Sequence, residues 1–448
     1  MMNKMQFWMK MRDSFWFLPT VYSLLALVVV TITNTIDTFL VPVITDNVPA
    51  TFFLSKSTAS SMYGSLITSM LTMTTISFST IMVVLTTYTT QFSPRTLQDF
   101  MKSRITQHVL GVFSFGFVFT LINLFLLGSS SKKEFLGPFF TVLVAIISLG
   151  FFILFIHHSS RFLQVNSLIG KIRGDASALI ANTFREKEYK EAVEWDEQEI
   201  AKWEDKEPYV IKAKQSGYLQ GIEIKSLLTY ARNHDVLFAA VFRTGDYIQK
   251  GAPLFYYWEK NETEEETDVE AATDYVLVGN ERTDVQDIEF SIQKLVEIAV
   301  RAISPGINDP HTAVNCINRI GSLMAELASV HRPVRYYADQ DDELRFMMEP
   351  KKFRDYLYKG FYQIRLYGKQ DLTVMDAMLE GLYKIAIVHH GYIKEETWEF
   401  AKYIIESTDT DEMHEIDYDR FYETCKKMAD ECGKELPLER VTGGRAAI

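Results

Sequence analysis

The chain has 448 residues, a formal net charge of −12 and a mean hydropathy of −0.02. A chain of this length accommodates two or three domains. Because 58 acidic residues outnumber 46 Lys and Arg, a nucleic-acid partner is disfavoured, since phosphate backbones are bound by basic surfaces.

The acidic excess is confined to the later part of the chain. Residues 1–158 hold nine Lys and Arg and five Asp and Glu, so the excess of acids lies in residues 159–448. That part also contains Cys316, Cys425 and Cys432, which show no metal-ligand spacing and fit a reducing cytosolic location. We therefore expect an apolar membrane part followed by an acidic cytosolic part, with no metal or other cofactor.

Four apolar stretches, near residues 15–36, 65–90, 109–127 and 138–156, have about the length that a helix needs to cross a bilayer. Basic residues occur in the first 12 residues, in the amphipathic segment 92–107, and after the fourth stretch. The positive-inside rule then places both termini of a multi-pass protein in the cytosol. No charged residue lies well inside a stretch, which disfavours an ion-coupled transporter.

The second stretch has a polar stripe. At about 100° per residue, one narrow helical arc contains Thr68, Thr72, Thr75, Ser79, Met82, Val83, Thr86 and Thr90. Its hydroxyls predict a hydrated path, and its Met and Val predict an apolar collar that closes by dewetting. Because a single helix cannot enclose a path, this requires a ring of identical subunits in the bilayer. Helix packing is the alternative explanation, since Ser and Thr also serve that role.

The region after the fourth stretch changes character twice. Apolar residues at helical spacing predict a connecting helix over 159–205. Short β-type runs punctuated by glycine follow in 206–282, together with an acidic loop. The runs Ser-Gly-Tyr-Leu-Gln, Thr-Gly-Asp-Tyr and Lys-Gly-Ala-Pro-Leu resemble the small barrel-sandwich of biotinyl- and lipoyl-type carrier domains. The Met-Lys-Met-like context of their modified Lys is absent, so the resemblance implies shape and no attached cofactor.

Residues 283–435 are predicted to be helical with one β-hairpin near 336–348, and 436–448 form a tail. Thr283 and Gln286 make a capping-box pattern at the start of a helix. Asp309 is a predicted N-cap, with Pro310 at the first helical position. The predicted fold is thus a four-helix membrane domain followed by an α+β region with a barrel-sandwich-like module and a helical bundle.

The turn at 304–313 concentrates residues that can bind or react, namely Ser304, Asn308, Asp309 and His311. A ligand site would use these side chains directly, and an enzyme would use His311 as a base oriented by Asp309. The alternative is a structural joint between two helices, because Pro and Gly end one helix and Asp begins the next. Catalytic signatures such as Gly-x-Ser-x-Gly or His-Glu-x-x-His are absent.

Two stretches carry a family likeness: Ser-Phe-Ser at 77–79 through Gln-Phe-Ser-Pro-Arg at 91–95, and Arg-Ala-Ile-Ser-Pro-Gly-Ile-Asn-Asp-Pro-His at 301–311. With Gly-Tyr-Leu-Gln at 217–220 and Glu-Arg-Thr at 281–283, they resemble a bacterial family of predicted membrane proteins, domain of unknown function 2254. The likeness covers nearly the whole chain. It implies a bacterial inner-membrane location and brings no activity or ligand with it.

Two functions follow as hypotheses. The first is a homo-oligomeric channel whose second transmembrane helix lines the path and whose cytosolic part forms a vestibule or gate. The second is a membrane-tethered sensor or scaffold with a cytosolic module that binds a ligand or partner. An enzyme is the third class and has no motif in its favour.

Overall fold

A computed structural model describes residues 14–39, 54–91, 103–129, 134–135, 137–185, 187–260, 269–411 and 413–438. The chain divides into two compact units, Met1–Leu168 and Ile169–Ile448. The predicted basic lead, residues 92–102 of the amphipathic segment, most of the acidic loop and the end of the tail lie outside the described residues.

The first unit is built from helices that suit a membrane. Its described residues include four helices long and apolar enough to cross a bilayer, as predicted: α1 (Phe17–Phe39), α2 (Lys56–Gln91), α3 (Arg104–Ser129) and α4 (Gly137–Phe162). Short strands β1 (Leu54–Ser55) and β2 (Glu134–Phe135) pair antiparallel between them. With 36 residues, α2 is about 54 Å long, which exceeds the roughly 30 Å hydrocarbon core.

Helix α3 is the centre of this unit and contacts the other three helices. Half of its most apolar stretch is buried, against 17% to 22% in α1, α2 and α4. The outer surfaces of α1 and α4 expose large apolar side chains such as Leu24, Ile146 and Ile153. In water such surfaces are unfavourable, whereas lipid accepts them, so the unit has the surface of a membrane domain.

Two of the predicted helix ends are shifted. Helix α1 runs to Phe39, beyond the predicted end near residue 36, so Asp37 lies in its last turns and is buried. Helix α4 stops at Phe162, and α5 (Val165–Thr183) begins after a two-residue break. Strand β3 (Lys190–Ala192) and helix α6 (Glu197–Glu204) follow. The prediction of one continuous connecting helix up to residue 205 is therefore wrong. Residues 190–192 pair with another strand in a sheet and so cannot belong to a helix.

The second unit contains two open sheets. Their remaining strands are β4 (Tyr209–Lys212), β5 (Gly217–Ile222), β6 (Val236–Ala240), β7 (Tyr247–Ile248), β8 (Pro253–Glu259), β9 (Val276–Gly279), β10 (Tyr336–Ala338) and β11 (Leu344–Met348). One sheet has the order β3-β10-β11-β6-β8-β4 and the other has the order β7-β5-β9. All pairs are antiparallel except β11 and β6.

This topology confirms the predicted hairpin and corrects its surroundings. Strands β10 and β11 pair with Tyr336 opposite Met347, but β11 then continues the sheet by lying parallel to β6. The described strands form no closed barrel: β4, β6 and β8 of the predicted module belong to an open six-stranded sheet, and β5, β7 and β9 form the second sheet. The six-stranded sheet forms because β11 pairs with β6, a strand about a hundred residues earlier in the chain. No local sequence pattern reveals such a pairing.

Both faces of the six-stranded sheet are covered. Successive residues of a strand point to opposite faces, and in β6 Phe238 packs with Phe255 and Phe346 on one face. Leu237 packs with Trp203 of α6 and Trp258 on the other. Helix α7 (Ile224–Asn233) covers the first face through Leu227 and Leu228. The sheet is thus an interior layer of the second unit.

Six helices complete the unit: α8 (Ile288–Ala302), α9 (Pro310–Val330), α10 (Phe353–Gly368), α11 (Leu372–Val388), α12 (Gly391–Glu406) and α13 (Glu415–Cys432). Asp309 caps α9 and Pro310 opens it, as predicted. The predicted capping box of α8 is wrong, because Asp287 is its N-cap and accepts from the Phe290 amide. The Gln286 side chain instead bonds the backbone of Ile222 in β5.

Candidate functional site

The arc of α2 that we predicted to line a path lies on the outside of the first unit. Seven of its eight residues have described side chains, and all seven are exposed: Thr68, Thr72, Thr75, Ser79, Met82, Val83 and Thr86. The side chain of Thr90 lies outside the described residues. The two apolar residues of the arc, which form the predicted collar, are also well exposed, Met82 at 62% and Val83 at 58%.

The opposite side of α2 holds the helix against its neighbours. Its buried residues are Ala59, Tyr63, Met70, Ser77, Ile81 and Val84. At about 100° per residue these fall roughly 180° away from the hydroxyl arc. The contacts of α2 with α3 and α4 therefore use the far side, and the described part of the unit leaves the arc uncovered.

Four threonine hydroxyls of the arc are bonded within their own helix. Thr68, Thr72 and Thr75 donate to the carbonyls of Gly64, Thr68 and Leu71, at 3.1, 2.8 and 2.9 Å. Thr86 donates to Met82 in the same way, at 2.9 Å. Each donor is satisfied, while the oxygen lone pairs remain directed outward. The same bonding is typical of threonines that pack helices, so it fits both explanations of the stripe.

Helix α4 of the same unit has an outer face without exposed hydroxyls between Phe139 and Ile156. Between Phe139 and Ile156 its exposed large residues are all apolar: Phe139, Val142, Leu143, Ile146, Ile147, Leu149, Ile153, Leu154 and Ile156. Helix α1 has a short hydroxyl run that the predictions from sequence did not include. Thr31, Thr35 and Thr38 are exposed and donate to carbonyls of the preceding turn. Their spacing of three and four residues is the signal that would have revealed them.

The turn between α8 and α9 is an ordered joint. Asn308 has a φ of 52°, a left-handed conformation that Asn tolerates better than most residues. The Ser304 hydroxyl donates to the Arg301 carbonyl at 2.6 Å, and the Asp309 amide donates to the Ala302 carbonyl at 2.8 Å. Each of these groups thus closes the end of α8, as the structural alternative requires.

Asp309 is occupied with its own helix. It accepts from the Thr312 amide at 3.1 Å and from the Thr312 hydroxyl at 2.6 Å. This hydroxyl bond is the main reason that the pKa of Asp309 lies below its ordinary value. His311 is exposed beside it. The turn brings Asp309 and His311 together in space, and ligand binding by the four predicted residues stays a prediction.

Sequence reasoning did not identify a polar cluster among the described residues of the second unit, which we call the charged seam: Arg282, Asp284, Asp287, Glu289, Lys294 and Lys351. Asp287 accepts from two nitrogens of Arg282, at 2.8 and 2.6 Å. Glu289 pairs with Lys351 at 2.9 Å, and Lys294 pairs with Asp284 at 2.9 Å. Three acids and three bases are thus matched, with Asp287, Glu289 and Lys294 buried and Asp284 partly exposed. Sequence signals for such a seam are weak, because its pairs involve three different elements.

The seam joins the β strands to the helices. The Lys351 ammonium also donates to the Thr244 carbonyl at 3.1 Å. Next to it, Gly245 has a φ of +96°, and a Cβ there would lie 2.5 Å from Asp287 Oδ2. The strand-to-strand turn therefore packs its backbone directly on the ion pair. The described residues hold no group of three or more His, Cys, Asp or Glu suited to a metal ion, and matched charges make the seam a structural junction.

Comparison with known proteins agrees with this architecture. The sequence model of the family described as "Predicted membrane protein (DUF2254)" matches residues 12–384. The chain belongs to this family. Membership agrees with the four apolar helices and makes the chain a predicted membrane protein.

Three curated relatives are similar to the chain. They are Uncharacterized protein MT1328 and Uncharacterized protein Rv1290c, from two strains of Mycobacterium tuberculosis, and Uncharacterized protein Mb1321c from Mycobacterium bovis. Each is 28% identical over 324 residues, which is 71% of this chain and 61% of the relative. The chain thus spans less than two thirds of the length of these relatives. No solved structure matches it.

Proposed function

We propose that the chain is one subunit of a homo-oligomeric channel in the bacterial inner membrane. Copies of α2 surround a water-filled path, and residues 169–448 form a cytosolic vestibule or regulatory part. Both termini lie in the cytosol in this proposal, which rests on the distribution of basic residues around the four helices.

One observation carries the proposal: the outward arc of α2 exposes five hydroxyls, whereas the outward face of α4 between Phe139 and Ile156 is apolar. Lipid solvates the apolar face of α4 well. Lipid tails offer no hydrogen-bond donors to the hydroxyl oxygens of α2. Water can donate to those oxygens, since their own protons are already used within the helix. A water-filled path between the subunits is therefore the environment that suits this arc best.

The arrangement also suggests what passes and what stops it. Outward-directed hydroxyl oxygens accept hydrogen bonds and coordinate cations, and residues 159–448 are strongly acidic. Both features favour cations over anions at the path and its vestibule. Met82 and Val83 interrupt the hydroxyls with two exposed apolar side chains. In a ring they form the narrowest dry zone, and we assign the gate to them.

Cation flux into proteoliposomes tests the lining with a matched pair of variants. Thr72→Val removes a hydroxyl from the arc, and we expect flux to fall about fivefold, as for a barrier raised by about 1 kcal/mol. Thr74→Val is the control. Thr74 lies in the same helix and bonds the Met70 carbonyl at 2.8 Å in the same way, but it is half-buried on another face. Equal flux through both variants would contradict the assignment.

The gate has its own test. Met82→Ala shortens the collar, so we expect flux to rise in the absence of any stimulus. Met73→Ala makes the same change on a half-buried face of α2 and should leave the flux unchanged. If Met82→Ala conducts no better than the wild type, the assignment of the gate to Met82 and Val83 is wrong.

Particle mass in mild detergent is the third measurement. A ring requires at least three copies, so a monomer or dimer would exclude the path described above. The sensor alternative would then be favoured if nucleotides, metal ions or lipid head groups raised the melting temperature of the full chain.

A further inference from the structure

Three tyrosines surround one arginine where α10 packs against α12 in the second unit. We call this group the tyrosine–arginine cluster: Tyr358, Tyr362, Arg365 and Tyr403. Its first three members lie on α10 at spacings of four and three residues, which places them on one face of that helix. Tyr403 comes from α12, where Phe400 contacts Phe361 of α10 with ring centroids 6.2 Å apart. A packed pair of helices thus holds the cluster together.

The guanidinium of Arg365 is oriented by aromatic rings. Its central carbon lies 4.7 Å from the ring centroid of Tyr403 and 5.9 Å from that of Tyr362. Tyr358 in turn stacks on Tyr362, with centroids 4.7 Å apart and an interplanar angle of 14°. Because ring faces attract the flat side of a guanidinium, such contacts leave its in-plane N–H groups for an acceptor.

Arg365 differs from its counterparts in having no acidic partner. The other arginines of the described second unit that are at least partly buried each pair with a carboxylate: Arg173, Arg243, Arg282 and Arg345. Arg365 forms neither an ion pair nor a hydrogen bond with a described residue, and its Nε is buried without a partner. Its two terminal nitrogens are not fully buried. An unpaired buried donor is rare in proteins and calls for an explanation.

The acids that flank Tyr403 on α12 have cations of their own. Glu406, three residues after Tyr403, pairs with Lys402 at 3.9 Å. Glu399, four residues before it, lies close enough to Lys434 to act on the charge of that ammonium. Neither carboxylate neutralises Arg365, so the cluster keeps a positive charge for an anion from outside the described chain.

Hydroxyl groups lie close to this charge. The Tyr358 hydroxyl interacts electrostatically with Tyr362, Tyr403 and Arg365, so the polar ends of the four side chains lie within range of one another. A phenol hydroxyl can donate a hydrogen bond to an anion. Tyr358 is also 46% exposed, which makes the cluster accessible from the surface.

We propose that the tyrosine–arginine cluster binds the phosphate group of a phosphate monoester. The planar fork of an arginine matches two oxygens of a phosphate or a carboxylate. Further donors from phenol groups favour the phosphate, since a monoester has three terminal oxygens and a carboxylate has two. The ester comes from a soluble molecule or from a lipid head group. This inference does not depend on the channel, because the four residues belong to the second unit.

Isothermal titration calorimetry of the full chain in phosphatidylcholine nanodiscs tests the site. AMP and inorganic phosphate are the probes, and acetate at equal ionic strength is the comparison. We expect saturable binding of both probes, with one site per subunit, and affinities about tenfold or more above that of acetate.

Two substitutions of the same residue separate charge from geometry. Arg365→Gln removes the charge, and Arg365→Lys keeps it without the fork, so both should weaken AMP binding about tenfold or more. Tyr403→Phe keeps the ring beside Arg365 and removes one hydroxyl, with a smaller loss expected. Arg319→Gln removes an equal charge at an exposed position of α9 and should bind AMP like the wild type.

The source of the ester is read from a second set of nanodiscs that contain phosphatidic acid. A lipid ligand competes there and weakens AMP binding, whereas a soluble ligand gives equal affinity in both sets. The absence of saturable binding of AMP and phosphate overturns the proposal. Wild-type affinity in Arg365→Gln and Arg365→Lys also overturns it, because the phosphate then binds elsewhere. Acetate that binds as tightly as phosphate does so too.

Discussion

Two polar groups of the chain, the α2 arc of the first unit and the charged seam of the second, satisfy their side chains in different ways. In the first unit, the hydroxyls of the α2 arc face outward and bond their own helix. In the second, Asp287, Glu289 and Lys294 are buried and form ion pairs with Arg282, Lys351 and Asp284. A hydroxyl bonded within its helix needs no tertiary partner, whereas a buried charge does. The difference teaches that polar groups determine the packing of the second unit and are available for function in the first.

The largest expected effect is the loss of a buried carboxylate from the charged seam. Asp287→Ala removes the acceptor of two hydrogen bonds that Arg282 donates, and it removes the cap of α8. We expect a local loss of about 3–5 kcal/mol, as for other broken buried pairs. Hydrogen exchange of α8, followed by mass spectrometry, measures it.

An exposed pair in the same unit supplies the control. Glu380 and Lys384 are 3.6 Å apart and both are 60% exposed, so Glu380→Ala should change the stability of α11 by no more than about 0.5 kcal/mol. Similar effects of the two substitutions would mean that the seam does not hold the second unit together.

The next effect concerns the turn that packs on the seam. Gly245→Ala forces a side chain into a positive φ and places its Cβ 2.5 Å from Asp287 Oδ2. We expect a destabilisation of about 2–3 kcal/mol, visible as faster exchange in β5 and α8. Gly306→Ala should be nearly neutral, because a Cβ there meets nothing within 4 Å. If hydrogen exchange in both variants is as slow as in the wild type, the turn accommodates the new Cβ of Gly245→Ala without a loss of stability.

A pH dependence of the second unit comes from Asp376 on α11. Burial raises the pKa of this carboxyl above its ordinary value, and the bond from Arg420 only partly opposes the shift. The folded state therefore holds the proton more tightly than the unfolded state. Local stability should rise as the pH falls through the folded pKa towards the ordinary value near 3.8.

Asp376→Asn separates this effect from the other carboxyls. The variant should be at least as stable as the wild type at neutral pH and should lose the gain on acidification. Exchange of α11 and α13 measured between pH 4 and pH 7 gives the comparison. An identical response of the wild type and Asp376→Asn to acid across this range would contradict the assigned sign.

The smallest expected effect on stability lies in the first unit. Thr72→Val removes a hydroxyl whose partner is the carbonyl of its own helix, so unfolding should change by less than about 0.5 kcal/mol. The proposed function requires the same variant to lower flux. A substitution that destabilised α2 strongly would indicate a packing role for the arc and would weaken the comparison between the units.

Local patterns predicted the parts of the chain whose structure depends on neighbours in sequence. The apolar stretches became four long helices, the hairpin at 336–348 formed, and Asp309 with Pro310 began α9. These features depend on helix length, strand alternation and capping, which act over a few residues. The exposed arc of α2 was also visible in the sequence, although its role remains a proposal.

Patterns of the same kind failed where a distant partner decided the outcome. Gln286 fits a capping box, but its amide bonds Ile222 instead. Asp37 sits among polar residues in the sequence, and yet contacts with α4 bury it. In each case the competing partner comes from a segment far away along the chain.

The sequence by itself determined the class of the protein, a chain with four membrane helices and an acidic α+β part, because hydrophobicity and periodicity are local properties. Only the tertiary structure decided which side of α2 faces outward, that β11 lies beside β6, and that α12 brings Tyr403 to Arg365 of α10. These outcomes depend on pairings across long stretches of chain, whose free energies are set by fit and by charge balance and leave no mark in local composition.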